Sequence, residues 1–455
     1  MTHPAGEDGG IRELVRVAYP LILSTASHTI MQFTNRVFLA HYSPDALAAC
    51  VPAGILSFSF LCFFMGTATY TNAFVAQYYG RKKTASVSVA VWQGVWLALV
   101  SGVILLSLTP AGLYLIDHSG HAAAVRALER PYFAILTAFA GFPVLNTALA
   151  AFFIGRGKTK VPMAVNIAGN ALCVLLSWLL IFGAGPFPEM GIKGAGLAAV
   201  AGQMLMTVIY LRLIFSAANR RRYRTYRLVG VNKGMFARLI KYGVPNGVGF
   251  FLDVASFGAF IFIIGGMDKI SLAASNIIAS INMLAFMPVI GLGLASLTLV
   301  GKYIGMKKPD VAVRVSYNAA RLAGAYALVL GALFVTVPGF FINIFGSGQS
   351  AEYAEILARS RPLMKVLSVF VFFDAIAIIF SDALRGAGDT RFQMIGASAT
   401  AWLLFVPGVW FIVHRAGGDL VHAWAWGGFY VFLLSVFFML RFRCGLWRQI
   451  DILKE

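Results

Sequence analysis

Long apolar segments separated by short polar ones run through almost the whole chain. A helix needs about 20 consecutive apolar residues to cross a bilayer, and twelve segments of this kind are present. They cover residues 14–40, 46–76, 86–109, 131–154, 161–183, 194–216, 237–264, 271–300, 315–337, 363–384, 393–414 and 420–440. The pattern predicts an all-α integral membrane protein with twelve transmembrane helices. The longer segments predict tilt or extension beyond the bilayer.

The second half of the chain repeats the first. A shift of 225 residues aligns three segments of the first half with three of the second, and a shift of 231 aligns a fourth. The pairs are 14–20 with 239–245, 47–50 with 272–275, 75–83 with 300–308, and 155–160 with 386–391. Because each half holds six spans, both halves enter the membrane from the same side and the repeat is parallel. We expect a six-helix N-lobe over 1–216, a basic cytoplasmic linker over 217–236 and a six-helix C-lobe over 237–455.

Composition and charge agree with a membrane protein. Of the 455 residues, 59% are hydrophobic and 12% charged, and the mean hydropathy is +0.79. These values exclude an ordinary soluble domain. The net charge of +19 does not indicate nucleic-acid binding, because placing both termini in the cytoplasm puts most Lys and Arg on that side, as the positive-inside rule requires. We therefore expect a multi-pass protein of the cell inner membrane, with the arginine-rich run at 220–227 contacting anionic membrane lipids.

Motifs for enzymatic chemistry are missing from the sequence. There is no convincing P-loop, metal-ligand cluster, HExxH motif or nucleophile elbow. We therefore expect a protein that is not an enzyme and that needs no metal or organic cofactor. The four cysteines show no paired spacing and are expected to be reduced packing residues. The N-terminus has no basic stretch before a short apolar core, so the first span is expected to be retained.

Two carboxylates lie deep inside apolar spans. Asp253 is in the middle of span 7 and Asp374 in the middle of span 10. An Asp at the centre of a membrane helix costs about 2.5–3.5 kcal/mol on insertion scales, and it usually faces a cavity or a partner. Both are predicted to couple transport to a cation, with H⁺ favoured over Na⁺; substrate contact and hydrogen-bonded packing are the alternatives for Asp253. Asn246 and Ser256 lie near the face of Asp253 and are predicted to line the same cavity.

Polar side chains of another kind mark the first half. The cavity-lining and substrate-contacting candidates are His28, Gln32, Asn35 and Arg36 in span 1, Asn166 and Asn170 in span 5, Gln203 in span 6, and Asn276 and Asn282 in span 8. Amides inside apolar helices serve equally well as hydrogen-bonding contacts between helices, so both roles stay open. His28 occupies the repeat position of Asp253, where a packing role is expected ahead of a proton relay.

Two prolines and a third acid also have informative positions. Pro20 and Pro245 match each other in spans 1 and 7. A proline removes one backbone hydrogen bond and favours a kink, so each is a candidate hinge, with a static kink as the alternative. Asp382 lies nearer the end of span 10 and is expected to cap the helix or to pair with Arg385. Repeated halves with polar sites inside the membrane are typical of transporters that work by alternating access.

Several segments resemble one transporter family. They are the LAA segments near residues 47 and 272, VAQYYGRKK (75–83), GRGKTKVPMAVNIAGNALC (155–173), MGIKGAGLAAV (190–200), GLGLASLTLVGKYIG (291–305) and ALRGAGDTR (383–391). Each segment by itself is only weak evidence for the family. In this order, and with the twelve-span repeat, residues 12–440 resemble the multidrug and toxic compound extrusion (MATE) family, in its NorM-like branch.

The resemblance implies a V-shaped pair of six-helix lobes that exports organic, often cationic, compounds in exchange for H⁺ or Na⁺. It implies that Asp253 and Asp374 stand where that branch has acids in spans 7 and 10. It also implies that Asn170 matches an amide near an N-lobe cation site and that Pro20 matches a proline associated with bending. Where many members have an Asp near the end of span 1, this chain has Asn35 followed by Arg36. That departure argues against an N-lobe cation site, so coupling is expected to rely on the two acids.

The sequence thus predicts a monomeric secondary antiporter that exports an organic, cationic drug or metabolite. A lipid-linked oligosaccharide flippase and a dedicated metabolite or siderophore exporter of the same superfamily are the alternatives. A flippase would need a basic cavity, for which Arg36 is the one candidate, and the same residue would favour a substrate with an acidic group. An integral-membrane enzyme would need a catalytic cluster that is not found.

Overall fold

The computed structural model describes residues 8–226, 230–344 and 351–454. Long helices account for most of these residues, and each of the twelve predicted spans lies on one of them. The helices are α1 Ile11–Tyr42, α2 Pro44–Gly80, α3 Thr84–Asp117, α4 Ala123–Ile154, α5 Lys160–Phe182, α6 Ile192–Ile214, α7 Lys233–Gly265, α8 Lys269–Gly305, α9 Pro309–Thr336, α10 Ala351–Ala387, α11 Thr390–His414 and α12 Leu420–Cys444. The predicted all-α membrane fold with twelve spans is confirmed.

Within the described residues, eleven helices, α2 to α12, are long and apolar enough to cross a membrane. α1 is longer than a bilayer needs but more polar, because it carries charged residues such as Arg16 and Arg36. α4 begins well before the predicted start at residue 131. Its first turns contain Arg126, Glu129 and Arg130, and these charges hide the start of the helix from a hydropathy pattern. Short helices occupy Ala217–Tyr223, Pro338–Asn343 and Leu446–Gln449.

Three of the long helices contain local irregularities, and one of these is the interruption of α4 between Ala138 and Gly141. α2 is interrupted at Tyr70, between the segments Pro44–Thr69 and Thr71–Gly80. α11 contains a π-helical segment, Thr400–Phe405. π-Helical turns inside α-helices are rare and are frequently found at functional sites.

The sequence repeat is visible in the backbone. Lys82 and Lys307, which are 225 residues apart, both adopt the left-handed conformation, with φ of 59° and 58°. This conformation costs a non-glycine residue about 1–2 kcal/mol. Each lysine lies in the turn that links two long helices, α2 to α3 in the first half and α8 to α9 in the second. The same uncommon turn at equivalent positions supports the predicted repeat.

By packing, the chain divides into two compact units. The C-unit comprises the described residues up to Ile22 together with Gly249–Asp451, and the N-unit comprises Leu23–Val248 with the last residues of the chain. In the C-unit, α10 packs against α8, α9 and α12; in the N-unit, α5 packs against α6, and α3 against α4. These unit boundaries are defined by contacts between helices. The lobes expected over 1–216 and 237–455 are defined by the sequence repeat, and they stay a prediction. Residues 227–229 of the expected linker lie outside the described residues.

The boundary between units falls inside α1 and inside α7. At the start of α1, Glu13 accepts hydrogen bonds from Lys302 Nζ (2.7 Å) and Tyr303 OH (2.6 Å), so this segment is held in the C-unit. α1 continues in the N-unit after Ile22, just beyond Pro20. α7 likewise changes unit after Val248, just beyond Pro245. Each proline therefore precedes the point where its helix passes from one unit to the other, which is where a hinge would act; the hinge role stays a prediction.

Candidate functional site

The two predicted acids come together in the C-unit. Asp253 on α7 and Asp374 on α10 are close enough to act electrostatically on each other. Asp253 is accessible at the surface of its helix, and Asp374 is half-buried. Both acids lie in the apolar middle of membrane spans, where a carboxylate usually faces a cavity or a partner.

An aromatic series leads to this pair. The phenol of Tyr430 acts electrostatically with both acids, and its ring stacks on Phe405 with the centroids 4.7 Å apart. Phe405 stacks on Phe260 at 5.5 Å, and Phe260 meets Trp424 edge to face at 5.2 Å. Trp424 is anchored by a 3.1 Å hydrogen bond from Nε1 to Ser275 Oγ. Sequence reasoning missed these residues; a tyrosine in the apolar middle of span 12 was the one available signal.

The π-helical segment of α11 contacts the helix that carries Asp253. Trp402 Nε1 donates a 3.3 Å hydrogen bond to the backbone carbonyl of Leu252, the residue before Asp253. Phe405, at the end of the same segment, is the ring on which Tyr430 stacks. A π-helical turn displaces side chains from the α-helical register. Here the displaced segment supplies contacts to both α7 and α12 beside the acid pair.

Two residues predicted beside Asp253 have other contacts. Asn246 is 1% exposed, and its Nδ2 donates to the carbonyl of Gly66 at 2.5 Å within the N-unit. Ser256 is buried, and its hydroxyl donates to the backbone carbonyl of Asp253 at 2.9 Å rather than to the carboxylate. Both contacts are of the helix-packing kind. These contacts do not support the predicted cavity-lining role, which stays a prediction.

The amides of the first half form hydrogen bonds between helices of the N-unit. Asn166 Nδ2 donates to Ser24 Oγ at 2.7 Å, and Asn170 Nδ2 donates to Ser27 Oγ at 2.9 Å, which connects α5 to α1. The imidazole of His28 is 2.8 Å from the amide nitrogen of Gln32. Of the two roles left open for these residues, the contacts match the hydrogen-bonding one.

A second N-unit network includes a residue that sequence reasoning missed. Asn146 Nδ2 donates to the Gln203 carbonyl at 2.9 Å and to Gln203 Oε1 at 2.8 Å, and Asn146 Oδ1 accepts from Thr207 Oγ1 at 2.8 Å. Asn146 is buried, and its signal in the sequence was a single amide within an apolar run. Gln203, predicted to line a cavity, is therefore held by α4.

The remaining candidates are more isolated. Asn35 Nδ2 donates to Met31 Sδ at 3.4 Å and to Cys173 Sγ at 3.5 Å, while Arg36 is exposed. In α8, Asn276 is exposed, and the buried oxygen Oδ1 of Asn282 has no hydrogen-bond partner among the described residues. Among the described residues, none of these side chains makes a hydrogen bond or ion pair with Asp253 or Asp374.

Asp382 pairs with Arg385, as predicted. Arg385 Nη1 donates to Asp382 Oδ1 at 2.8 Å, and the acid is buried. The other carboxylate oxygen lies against Gly293 of α8, where a Cβ atom would overlap it. As for metals, within the described ranges no group of three or more His, Cys, Asp or Glu side chains is arranged to hold an ion.

Solved structures with the same fold include two transporters. One is described as "Reverse polarity of binding pocket suggests different function of a MOP superfamily transporter from Pyrococcus furiosus Vc1"; it has a TM-score of 0.89 and 17% identity and covers 99% of this chain and 100% of that one. Another, described as an outward-facing multidrug resistance MATE family transporter of the MOP superfamily, has a TM-score of 0.89 at 16% identity, again over 99% and 100%. At these identities the likeness establishes the fold.

Sequence comparisons identify the family. The chain is 28% identical over 454 residues to a probable multidrug resistance protein NorM of Thermotoga maritima, covering 97% of this chain and 94% of that protein. It is 27% identical over 410 residues to the multidrug resistance protein PmpM of Pseudomonas aeruginosa, covering 87% and 83%. The family model MatE matches residues 20–179 and 245–411, one segment in each repeat. Because the family model matches most of the chain, the chain belongs to the MATE family of membrane transporters.

Proposed function

We propose that this transporter exports organic cations in exchange for protons, with Asp253 and Asp374 as the coupling residues. The observation that carries the proposal is that these two acids, on α7 and α10, lie in one compact unit and are close enough to act electrostatically on each other. A carboxyl group that is neutral when sealed from water and charged when open to it carries one proton per cycle. Two such groups beside each other rarely stay charged together, because like charges repel at short range.

Protons are favoured over Na⁺ for a geometric reason. A Na⁺ site needs several oxygens around the carboxylate. The side chains predicted beside Asp253 make their hydrogen bonds elsewhere: Ser256 Oγ donates to the backbone carbonyl of Asp253, and Asn246 Nδ2 donates to the carbonyl of Gly66. Asn35, which stands where an N-lobe acid was expected, is an amide that cannot take up a proton near neutral pH. These two points support proton coupling through the two acids of the C-unit.

The substrate class follows from the rings beside the acids. Ring faces attract organic cations, most strongly when water is excluded, and Tyr430 supplies an aromatic ring near the two carboxylates. Two relatives carry the name multidrug resistance protein, which agrees with an organic drug or metabolite as substrate. The exposed Arg36 favours a second candidate, a metabolite or siderophore with an acidic group, or a lipid-linked oligosaccharide.

Location and orientation belong to the same proposal. The positive-inside distribution supports the cell inner membrane with both termini in the cytoplasm. The exposed arginines 220–222 on the short helix Ala217–Tyr223 are suited to anionic lipid headgroups. We expect a monomer, because each half of the repeat finds its packing partners within the chain.

The test is efflux from proteoliposomes under a proton gradient alone and then under a Na⁺ gradient alone, with a panel of cationic dyes. Wild type is compared with Asp253→Asn and Asp374→Asn, and Asn35→Ala is the control. We expect transport driven by ΔpH that either acid variant loses and the control keeps. Transport driven by Na⁺ would change the ion. Loss in Asn35→Ala with both acid variants active would contradict the assignment of the acids, and no dye transport under either gradient would favour the acidic or lipid-linked substrates.

A further inference from the structure

Asp382 is another buried acid on the helix that carries Asp374. It lies eight residues further along α10, about 12 Å along a helix axis. In the orientation proposed above, this displacement leads from the middle of the membrane towards the cytoplasm. Ser381, seven residues from Asp374 and therefore close to the same helix face, is also buried. Along α10, Asp374, Ser381 and Asp382 therefore follow one another from the middle of the membrane towards the cytoplasm, which is the direction in which protons must leave.

The surroundings of Asp382 leave it with one charged neighbour. Arg385 Nη1 is 2.8 Å from Oδ1, and Oδ2 lies against Gly293. In the described part of the chain, no titratable side chain of α8, α9, α11 or α12 makes a hydrogen bond or ion pair with this carboxylate. Asp382 is therefore held in place by a single cation, and glycine leaves space at its second oxygen.

The other repeat shows that the fold does not need an acid here. The positions equivalent to Gly293 and Asp382, at shifts of 225 and 231, are Ala68 and Ala151. Both alanines are almost completely buried, so two methyl groups are enough to pack these helices. The second half has a glycine in place of one alanine and a carboxylate in place of the other. The acid is an addition to the scaffold that the glycine accommodates.

Arg385 connects this acid to the coupling pair. Its guanidinium acts electrostatically on Asp382 and also on Asp253. Asp253 in turn acts on Asp374. The four groups therefore form a continuous electrostatic series within the C-unit, from the acid pair to the end of α10.

We propose that Asp382 relays protons between the Asp253–Asp374 pair and the cytoplasm, with Arg385 as its positioning residue. The proposal rests on the proton antiport proposed above. An O–H bond of the Asp374 carboxyl group breaks, and the proton passes by way of the Ser381 hydroxyl or water to the Asp382 carboxylate. The new O–H bond on Asp382 then breaks, and the proton is released to cytoplasmic water. Arg385, whose Nη1 donates to Oδ1 of Asp382 at 2.8 Å, holds that carboxylate in place between the acid pair and the cytoplasmic end of α10.

The chain contains a matched control. Asp389 is also buried, and it accepts a 2.8 Å hydrogen bond from Arg441 Nε. It lies in the turn after α10, and Arg441 on α12 stacks over Phe392 at 4.1 Å. This ion pair has the same chemistry as Asp382–Arg385 but joins a turn to another helix. Its removal should weaken packing without interrupting the series that leads from Asp374.

The experiment measures ΔpH-driven dye efflux and equilibrium dye binding for wild type, Asp382→Asn, Asp389→Asn and Asp374→Asn in proteoliposomes. Loss of a proton-transfer group typically lowers a rate by about 10²-fold or more. We expect at least about tenfold slower efflux for Asp382→Asn with dye binding unchanged, and efflux near wild type for Asp389→Asn. A small weak acid such as azide or formate should partly restore Asp382→Asn, because it carries protons past the missing group, and should not restore Asp374→Asn. Asp382→Glu should retain most of the rate.

Three outcomes would overturn the relay. Normal efflux in Asp382→Asn, with Asp374→Asn inactive, would refute the relay and leave the antiport standing. Equal slowing of Asp382→Asn and Asp389→Asn, with no effect of weak acids, would show that the ion pair is only structural. A wild type that does not respond to ΔpH would refute the antiport and the relay together. If Asp382→Asn does not fold, as judged by size-exclusion chromatography, Asp382→Ser takes its place in the same comparison.

Discussion

The two units share one plan of helices but carry different polar chemistry. In the N-unit, polar side chains in the middle of the helices are mainly amides and hydroxyls that bond to one another, such as Asn146 with Gln203 and Asn170 with Ser27. In the C-unit the corresponding depth holds the carboxylates Asp253 and Asp374. Amides keep one charge state near neutral pH, whereas carboxylates in a poorly hydrated site can change theirs. On the coupling proposed above, the half of the repeat that carries the carboxylates is the one that takes up and releases protons.

The largest expected difference between the units is functional. Asp374→Asn should lower ΔpH-driven transport at least about tenfold, because it removes a titrating group. Asn170→Ala should keep the response to ΔpH, because it removes only a hydrogen bond between α5 and α1. Efflux rates measured at a series of ΔpH values check both. A flat ΔpH response in Asn170→Ala would show that the N-unit also couples, and the comparison would fail.

The next effect is on packing around Asp382. Gly293→Ala should destabilise the protein by about 1–3 kcal/mol, as overpacking of a core does, because the new Cβ overlaps the Asp382 carboxylate. Gly258→Ala is the matched control in the same unit, since nothing lies within 4 Å of its Cβ position. Thermal unfolding in detergent measures the difference. Equal stability of the two variants would mean that α8 and α10 have room to separate at this contact.

A smaller effect is expected from the amide network of the N-unit. Asn146→Ala leaves Gln203 and Thr207 without their partner and should destabilise by about 1–2 kcal/mol, since hydrogen bonds in membranes contribute modestly and unpaired buried groups add a penalty. The dependence of transport on ΔpH should not change. Unfolding in detergent and dye efflux, measured on the same preparation, separate the two effects; a changed ΔpH dependence would give the network a coupling role.

The caps of equivalent helices should differ by about 1 kcal/mol. Asp268 caps α8 through Ile270 N and Ser271 N, whereas Ser43, 225 residues earlier, makes no side-chain cap to α2. Asp268→Ala should therefore destabilise by about 1 kcal/mol, and Ser43→Ala should have almost no effect. Thermal unfolding of the two variants at neutral pH tests this, and an equal loss in both would contradict it.

The same cap predicts a pH dependence. Hydrogen bonds from Ser271 and the neighbouring guanidinium of Arg359 lower the pKa of Asp268 from 3.8 to about 2. The folded state thus binds fewer protons than the unfolded state, so the contribution is complete above about pH 4 and is lost as the pH falls towards 2. The stability difference between wild type and Asp268→Ala should shrink over that range, and a constant difference would rule out the charge as its cause.

The smallest effect should be equal in the two halves. Lys82→Gly and Lys307→Gly each relieve a left-handed backbone conformation, and each should stabilise by less than about 1 kcal/mol, because the relief is partly offset by the greater freedom of glycine in the unfolded chain. Parallel unfolding measurements test the equality. Shifts of opposite sign would show that the two turns are not equivalent despite their matching angles.

Much of the fold was predictable, and the reasons are local. A membrane span is recognised by its apolar length, and all twelve predicted spans lie on helices. The start of α4 was missed because Arg126 and Arg130 make its first turns polar. The pairing of Asp382 with Arg385 was predictable, because residues three apart on a helix face each other.

The surroundings of the acids were less predictable. Tyr430 and Trp402 are single aromatic residues among many in apolar spans, and no spacing along the chain distinguishes them from rings that face lipid. Asn246 shares a helix face with Asp253, yet the two belong to different compact units. Helical spacing predicts which residues are neighbours on one helix, but it does not predict which other helix packs against them.

By itself, the sequence determined the membrane class, the twelve spans, the repeat, the family resemblance and the two deep acids. Each of these depends on composition or on spacing along one chain, which folding does not alter. Only the tertiary structure decided that Asp253 and Asp374 are close enough to act on each other, that Tyr430 acts on both, that Trp402 of the π-helical segment contacts α7 at Leu252, and that Gly293 makes room for Asp382. Those facts depend on which helix faces come into contact, and contact between distant segments is decided by packing in three dimensions.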